Sequence, residues 1–233
     1  GDHYYNFRNE VHLKTELRKV FSLALKMSAG AEDYIRNSKL RYGGYQYHVD
    51  YNLLAAHVDA YWRIVPRLFL NVSGRAEHLG YAGNWMLMPR ATVSYVPDKT
   101  FHISAMFGRY SQAAEDEYIA KSGMSLPQST SDHAILSLQY NKKKTLVRIE
   151  PYYKKYRHLP LQADASYTAE GYGTSKGIDF FFENHSLVKN LTATVSYAFN
   201  DSERLYLDYT SLRAPEYASR HNIRLTAKYS IGK

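Results

Sequence analysis

Apolar and polar residues alternate along most of this chain with a period of two. In segment 54–64 the even positions are apolar, whereas the odd positions include His57, Asp59 and Arg63. Only an extended strand separates two such sets onto opposite faces. The alternation recurs in segments 68–77, 87–95, 101–108, 134–140, 147–154, 191–200 and 222–231. With weaker segments at 6–18, 21–34 and 174–187, the pattern predicts eleven strands.

The length of these segments favours a membrane protein. Strands of globular proteins have about 5–6 residues, whereas a tilted strand that crosses a bilayer needs roughly 9–11. Many of the alternating segments reach this greater length. No stretch approaches the ~20 apolar residues of a spanning helix, and no convincing helix or domain boundary is evident. The pattern therefore predicts an all-β protein, an antiparallel up-and-down transmembrane β-barrel.

The predicted connections alternate in length. Tight turns are expected near 18–19 and at 65–67, 97–99, 142–144 and 188–190, and longer loops at 35–48, 80–83, 111–132, 157–173 and 201–220. Consecutive turns of an up-and-down sheet lie at opposite ends. One end of the sheet is therefore predicted to carry short turns and the other end longer loops, as in outer-membrane barrels.

Composition changes this picture only in part. The chain has 23 tyrosines, no cysteine and a formal charge of +8. Tyrosine suits membrane interfaces because its ring is apolar and its hydroxyl is polar. The lysines and arginines are scattered rather than gathered in a stripe, so no nucleic-acid partner is expected.

Charged residues interrupt one flank of the predicted strands at mid-length. A basic side chain at the bilayer midplane costs ~2–4 kcal/mol, so these residues are predicted to face the barrel lumen or a domain that fills it. They are Asp59, Arg75, Glu77, Arg90, Arg148, Glu150, Asp179 and Arg224.

Motifs for catalysis, metals or cofactors are weak. The glycine-rich stretch 171–177 has the wrong spacing for a phosphate loop and runs into a predicted strand. The ten histidines form no metal-ligand spacing. Ser73, His57 and Asp59 lie on neighbouring predicted strands, but their spacing indicates no triad. We expect no enzyme, no metal site and no cofactor.

A carboxylate-rich segment is the best candidate for contact with a ligand. It lies in the predicted loop 111–132 and comprises Glu115, Asp116, Glu117 and Tyr118. Three acids beside a tyrosine can hold a cation or a sugar, and the elaborated end of a barrel is where recognition takes place.

Several motifs, taken in order, resemble one known family. They are Gly74-Arg-Ala-Glu77, Trp85-Met-Leu-Met-Pro89, Phe107-Gly-Arg-Tyr-Ser-Gln112 with Glu115-Asp116, Arg148-Ile-Glu150-Pro-Tyr-Tyr, Gly171-Tyr-Gly-Thr-Ser-Lys-Gly177 and Pro215-Glu-Tyr-Ala-Ser-Arg220. Across roughly 50–233 the chain resembles the TonB-dependent outer-membrane transporters, especially those of the Bacteroidetes.

The resemblance implies a 22-stranded barrel in the bacterial outer membrane, plugged by an N-terminal domain. Such a barrel imports a scarce nutrient, such as an iron chelate, haem, a vitamin, a glycan or a peptide. The implied partners are outer-membrane lipid, the plug domain and the rest of the barrel, the TonB complex acting through the plug, a small nutrient ligand and a surface lipoprotein. Residues 1–233 show neither a plug nor a TonB box, so we expect them to be about half of the barrel.

Two alternatives from other classes stay open at this stage. The chain can be a small self-contained barrel of twelve strands, porin-like or enzymatic, or a soluble β-sandwich that binds carbohydrate. A sandwich requires the apolar flanks to pack against one another inside a compact body, whereas a membrane barrel leaves them exposed on the outside.

Overall fold

A computed structural model describes residues 5–42 and 45–231 and shows a single antiparallel sheet of eleven strands. Each strand is hydrogen-bonded to its neighbours in chain order, which confirms the predicted up-and-down topology. The strands are β1 (Tyr5–Val20), β2 (Leu25–Tyr42), β3 (Tyr45–Val65), β4 (Leu68–Leu79), β5 (Asn84–Tyr95), β6 (Phe101–Gln112), β7 (Ser129–Lys142), β8 (Thr145–Ala163), β9 (Ser166–Val188), β10 (Leu191–Leu205) and β11 (His221–Tyr229).

Two predicted long loops are wrong, because the strands continue through them. Pairing of β2 with β3 runs as far as Tyr42 and Tyr45, within the predicted loop 35–48, of which residues 43–44 lie outside the described part. Pairing of β8 with β9 runs as far as Ala163 and Ser166, within the predicted loop 157–173. The outer-facing residues are mostly polar there, and the inner-facing ones mix polar residues with core residues such as Leu40 and Val49. The alternation therefore fades, but the backbone ladder continues because it needs no apolar face.

The other connections agree more closely with the prediction. Segments 80–83, 113–128 and 206–220 join strands at one end. The opposite end carries only the short turns 21–24, 66–67, 96–100, 143–144 and 189–190. The first of these lies a few residues beyond the predicted position, since β1 extends to Val20.

One short helix, α1 (Asp116–Lys121), lies in segment 113–128 and was not predicted. Its six residues are too few to show a 3.6-residue period. Acidic Asp116 and Glu117 begin it and Lys121 ends it, which suits the helix dipole. Within residues 5–42 and 45–231, no helix is both long and apolar enough to cross a membrane.

The strand register sorts the side chains onto two faces. Asp59 of β3 pairs with Ser73 of β4, which pairs with Arg90 of β5, and the ladder continues through Gly108. We call the face that carries these residues and α1 the inner face. The opposite, outer face is apolar and exposed, as at Leu87 (66% exposed) and Phe107 (53%). The apolar flanks therefore do not pack against one another, which excludes the β-sandwich.

Aromatic residues mark both ends of the apolar outer face. At the short-turn end the outer face carries Trp62, Tyr95, Phe101, Tyr140 and Tyr229, and at the other end Trp85, Phe107, Tyr153 and Tyr172, all exposed or half-buried. Along β5, Trp85 and Tyr95 are ten residues apart, which corresponds to a height of about 26 Å for a strand tilted by ~40°. This height and the two aromatic girdles match a transmembrane barrel.

The small hydrophobic core lies between α1 and the inner face. It comprises Leu40, Val49, Ala114, Ile119 and Leu126, with Tyr47, Tyr51, Tyr118 and Tyr167 packed around it. These apolar contacts therefore hold segment 113–128 against the inner face of β2 and β3.

Candidate functional site

Asp116 fixes the start of α1 to the inner face. Its side chain is 1% exposed, and Arg8 of β1 donates to Oδ2 from Nε at 2.9 Å, with Nη2 of the same arginine 2.7 Å from that oxygen. Ser38 of β2 donates to the same oxygen at 2.7 Å, and Arg36 Nη1 lies 3.4 Å from Oδ1. Since a carboxylate so buried needs charged partners, these contacts account for the inward turn of the loop.

The four residues predicted to contact a ligand therefore have different environments. Asp116 has both oxygens engaged within the protein, whereas Glu115 is exposed and makes no side-chain cap to the helix. Glu117 pairs with Lys121 at 2.7 Å. The ring of Tyr118 packs against Tyr167 with centroids 4.5 Å apart, and burial raises its pKa to about 12.

A second network lies one level below Asp116 on the inner face. Glu32 is 7% exposed and accepts hydrogen bonds from Arg75 Nη1 and from Tyr34, both at 3.1 Å. Arg75 Nε donates to Glu77 at 2.7 Å. The other Glu77 oxygen accepts from Ser111 and from Gln128, each at 2.7 Å. This chain of contacts joins β2 and β4 to the end of β6 and, through Gln128, to the end of segment 113–128.

A cavity of about 230 Å³ separates the two networks. Gln128 lines it, is fully buried, and has an Oε1 atom without a hydrogen-bond partner. The other polar lining residues are Glu10, Tyr34, Arg36, Tyr51, Arg75, Glu77, Ser111 and Gln112. Such a lining of two arginines, two carboxylates and several neutral groups suits a small polar group that can both donate and accept hydrogen bonds.

The eight charged residues predicted to face the lumen share the inner face by register. Glu150 pairs with Asp179, and Arg224 pairs with Ser196, which is opposite Phe181 and, beyond it, Arg148. Arg75 and Glu77 belong to the buried network described above. Asp59, Arg90, Arg148, Glu150, Asp179 and Arg224 line the wider surface, where Arg90 stacks over Tyr110 at 4.4 Å.

The structure brings Ser73, His57 and Asp59 close without forming a triad. Asp59 pairs with Ser73, but the nearest ionic contact of His57 is to Glu32 at 3.9 Å. In the described part of the chain, no group of three or more potential ligands is placed to hold a metal ion.

Sequence reasoning missed three of the residues that build the site. Arg36 and Ser38 fell inside a predicted loop, and Glu32 lay in a weak strand segment. In retrospect, the alternation of Arg8, Glu10, His12 and Lys14 along β1 indicates a charged inner flank that needs partners on β2.

Comparison with known proteins gives one family. The model "TonB dependent receptor-like, beta-barrel" matches residues 1–233. A search of curated proteins gives no match.

Solved structures of low sequence identity share the fold. The FrpB iron transporter from Neisseria meningitidis (F3-3 variant) has a TM-score of 0.79 at 11% identity, over 98% of this chain and 41% of that one. The ferric-catecholate import receptor Fiu from E. coli K12 has a TM-score of 0.74 at 10% identity, over 97% of this chain and 42% of that one. The siderophore receptor PirA from Pseudomonas aeruginosa has a TM-score of 0.72 at 14% identity, over 85% of this chain and 42% of that one. This chain thus spans less than half of each of these structures.

Proposed function

Because the chain belongs to the TonB-dependent receptor β-barrel family and is an outer-membrane β-barrel segment of a Gram-negative bacterium, we propose that it forms part of an active importer. The observation that carries the proposal is the division of the sheet into an exposed apolar face and a charged inner face that folds a loop inward. Lipid suits the first face, whereas a plug and a polar solute suit the second. The proposed role is transport, and no catalytic role is proposed.

We infer that residues 1–233 are about half of the barrel. In the described residues, the order of strands runs from β1 to β11 without a pairing between these two. Unpaired backbone groups at two edges are not tolerated in hydrocarbon. Further strands must therefore complete the sheet, and about 11 more give the 22 strands of the family. This inference replaces the self-contained barrel of twelve strands.

The substrate class that we propose is an iron chelate. It is supported by the similar structures, which are an iron transporter, a ferric-catecholate receptor and a siderophore receptor. Sequence identities this low support a shared fold and not a shared substrate. Haem, a vitamin, a glycan and a peptide are therefore the competing substrates. The exposed Glu115 and the rings of Tyr118 and Tyr167 are the proposed contacts at the mouth of the barrel.

We propose that the plug domain binds to the charged residues of the inner face. Arg148, Asp179 and Arg224 are exposed on the inner face, and Arg148 lies 3.2 Å from half-buried Glu150. This charged surface is the proposed contact of the filling domain. The TonB complex acts on the barrel through that plug, and a surface lipoprotein is a further proposed partner. The Bacteroidetes type of the family is likewise a proposal, which rests on the motifs alone.

An uptake measurement tests the proposed function. The full-length gene is deleted from its host, and uptake of ⁵⁵Fe-labelled chelates is measured with and without a protonophore. We expect uptake of at least one chelate to fall about tenfold or more in the deletion strain and in energy-depleted wild-type cells. Unchanged uptake of every chelate, with energy-dependent uptake of a vitamin or glycan lost instead, contradicts the proposed substrate.

A further inference from the structure

Charged residues replace the apolar ones on the outer face just above the upper aromatic girdle. Beyond Phe107 on β6 comes Arg109, beyond Ala134 on β7 comes Asp132, and beyond Tyr153 on β8 comes Lys155. These residues share the outer face, because Arg109 pairs with Asp132 and Asp132 pairs with Lys155. The change occurs at the same level on three consecutive strands, so it marks a boundary of the apolar band.

The level of this change corresponds to the membrane interface. On β6, Arg109 lies eight residues beyond Phe101, and on β7, Asp132 lies eight residues before Tyr140. Eight residues of a strand tilted by ~40° rise by about 21 Å, close to the ~25 Å height of the apolar band of a barrel. The charged side chains therefore lie where lipid headgroups begin, at the end of the barrel opposite the short turns.

Two arginines are held together there by a single carboxylate. Arg109 donates to Asp132 from Nε at 2.7 Å and from Nη2 at 3.1 Å, and Arg157 Nη1 donates to the same carboxylate at 2.6 Å. The arginines are 38% and 39% exposed, whereas Asp132 is only 14% exposed. One negative charge cannot neutralise both guanidinium groups, so a positive charge is presented outward on pre-positioned donors.

The positive surface continues across the next strands. Tyr153 pairs with Lys176, which lies 3.5 Å from Asp201, and Arg220 lies 3.5 Å from the same carboxylate. We call Arg109, Lys155, Arg157, Lys176 and Arg220 the outer cationic belt. The acids on the same surface are Asp132, Glu170, Asp201 and Glu203, so five cations face four carboxylates and the formal charge is +1.

We propose that the outer cationic belt binds phosphate groups of lipids in the extracellular leaflet. The proposal rests on the proposed function, and it takes the short-turn end to face the periplasm, as short turns do in outer-membrane barrels. Charge complementarity and continuity with the apolar band both favour a lipid, since its acyl chains would cover Phe107 and Tyr153 while its phosphate meets the arginines. Arginine forks match phosphate oxygens in geometry, and basic residues near a membrane surface attract anionic headgroups.

Lipid retention by the full-length protein in detergent micelles tests this proposal. The probe is diphosphorylated lipid A, and the comparison lipid is the same molecule without its phosphates. The variants are R109Q/R157Q and K155Q/K176Q. The matched control is K142Q/K143Q, which removes two cations near the short-turn end. A heat-induced shift in electrophoretic mobility shows that each variant has folded.

Each cation near an anionic lipid surface contributes roughly fivefold to binding. We therefore expect each double variant to hold the probe about 25-fold more weakly, while the control stays within about twofold of wild type. The dephosphorylated lipid should bind wild type at least as weakly as the probe binds the variants, because it offers no phosphate to any of the five cations. Equal retention by wild type and both variants, or an equal loss in the control, overturns the proposal.

Two further arms separate the alternatives. Inorganic phosphate at a hundredfold excess should leave the lipid bound, and its complete displacement would overturn the lipid assignment in favour of a site for free phosphate. Chelate import should persist in both variants, because the belt lies outside the lumen. If the wild-type protein retains the lipid but imports no chelate, the proposed function is refuted while the lipid site is supported.

Discussion

At the residue scale, Asp116 anchors the start of α1 to β1 and β2. The D116N substitution removes the charge that Arg8 and Arg36 surround. Hydrogen bonds to charged groups contribute ~1.5–3 kcal/mol, so we expect α1 to open about 10–100 times more often. Hydrogen–deuterium exchange of the α1 amides in the full-length protein measures this opening.

The E117Q substitution is the matched control for this experiment. It removes one charge from the same helix, but Glu117 is half-buried and pairs with Lys121 within the helix. Such pairs contribute about 0.3–0.5 kcal/mol. Faster exchange in E117Q than in D116N would show that the helix charge, and not the contact with Arg8, holds the loop.

Asp98, in the short turn between β5 and β6, gives a pH-dependent prediction. Its carboxylate accepts hydrogen bonds from the backbone N–H groups of Thr100 and Phe101 at 2.6 and 3.0 Å, and these bonds lower its pKa. A lowered pKa means that the stabilisation is present above the ordinary carboxyl pKa and is lost as the pH falls through the folded value.

We expect the Thr100 and Phe101 amides to lose protection in acid after correction for intrinsic exchange. The D98N variant should show no such pH dependence, because its amide oxygen accepts a hydrogen bond without titrating. Equal pH profiles for the two proteins would contradict a role for the Asp98 carboxylate.

At the scale of the elements, close packing of β9 against its neighbours depends on glycine. A Cβ atom on Gly177 would collide with the carbonyl oxygen of Phe199 and with the hydroxyl of Tyr152, which lies 2.6 Å from its position. Overpacking of this kind costs about 1–3 kcal/mol. We expect G177A to lower the thermal unfolding midpoint of the barrel in detergent.

Gly74 on β4 is the control for this substitution. A Cβ atom there meets only Val58 Cγ1 at 4.0 Å, on the exposed outer face. The G74A variant should therefore unfold at nearly the wild-type temperature. A larger loss in G74A than in G177A would show that backbone freedom, rather than the approach of β8 and β10, decides the cost.

The elements also show how far sequence reasoning reaches. The strands that cross the membrane were predictable, because lipid on one side and water or protein on the other enforce a strict alternation, as in β3 from Leu54 to Ile64. The ends of β2, β3, β8 and β9 away from the short turns were not predictable, since polar residues occur on both faces there and interrupt the alternation. The helix α1 was missed because its position depends on Asp116 contacting Arg8, 108 residues earlier in the chain.

The site was predictable in its faces but not in its contacts. Alternation assigned Arg75 and Glu77 to the charged flank, and the register places them on the inner face. It did not reveal that Glu77 accepts hydrogen bonds from both Ser111 and Gln128, because these residues approach Glu77 only when segment 113–128 folds inward. Long-range contacts of this kind leave no local pattern.

At the scale of the whole molecule, the orientation of the two faces determines where a charge is tolerated. Leu136 lies on the outer face of β7, midway between Tyr140 and Asp132, and is 39% exposed. Its neighbour Ser137 points to the inner face and pairs with Ser104. If lipid covers the outer face, an arginine is costly at position 136 and tolerated at position 137.

We expect L136R to destabilise the full-length protein in lipid vesicles by ~2–4 kcal/mol, measured from its equilibrium unfolding in guanidinium chloride. The S137R variant adds the same side chain one residue away and should lose about 1 kcal/mol or less, since lumen positions remain hydrated. In detergent-free buffer both proteins should aggregate. A reversed order of stability would place lipid on the charged face and refute the assignment of both surfaces, because one register fixes all eleven strands together.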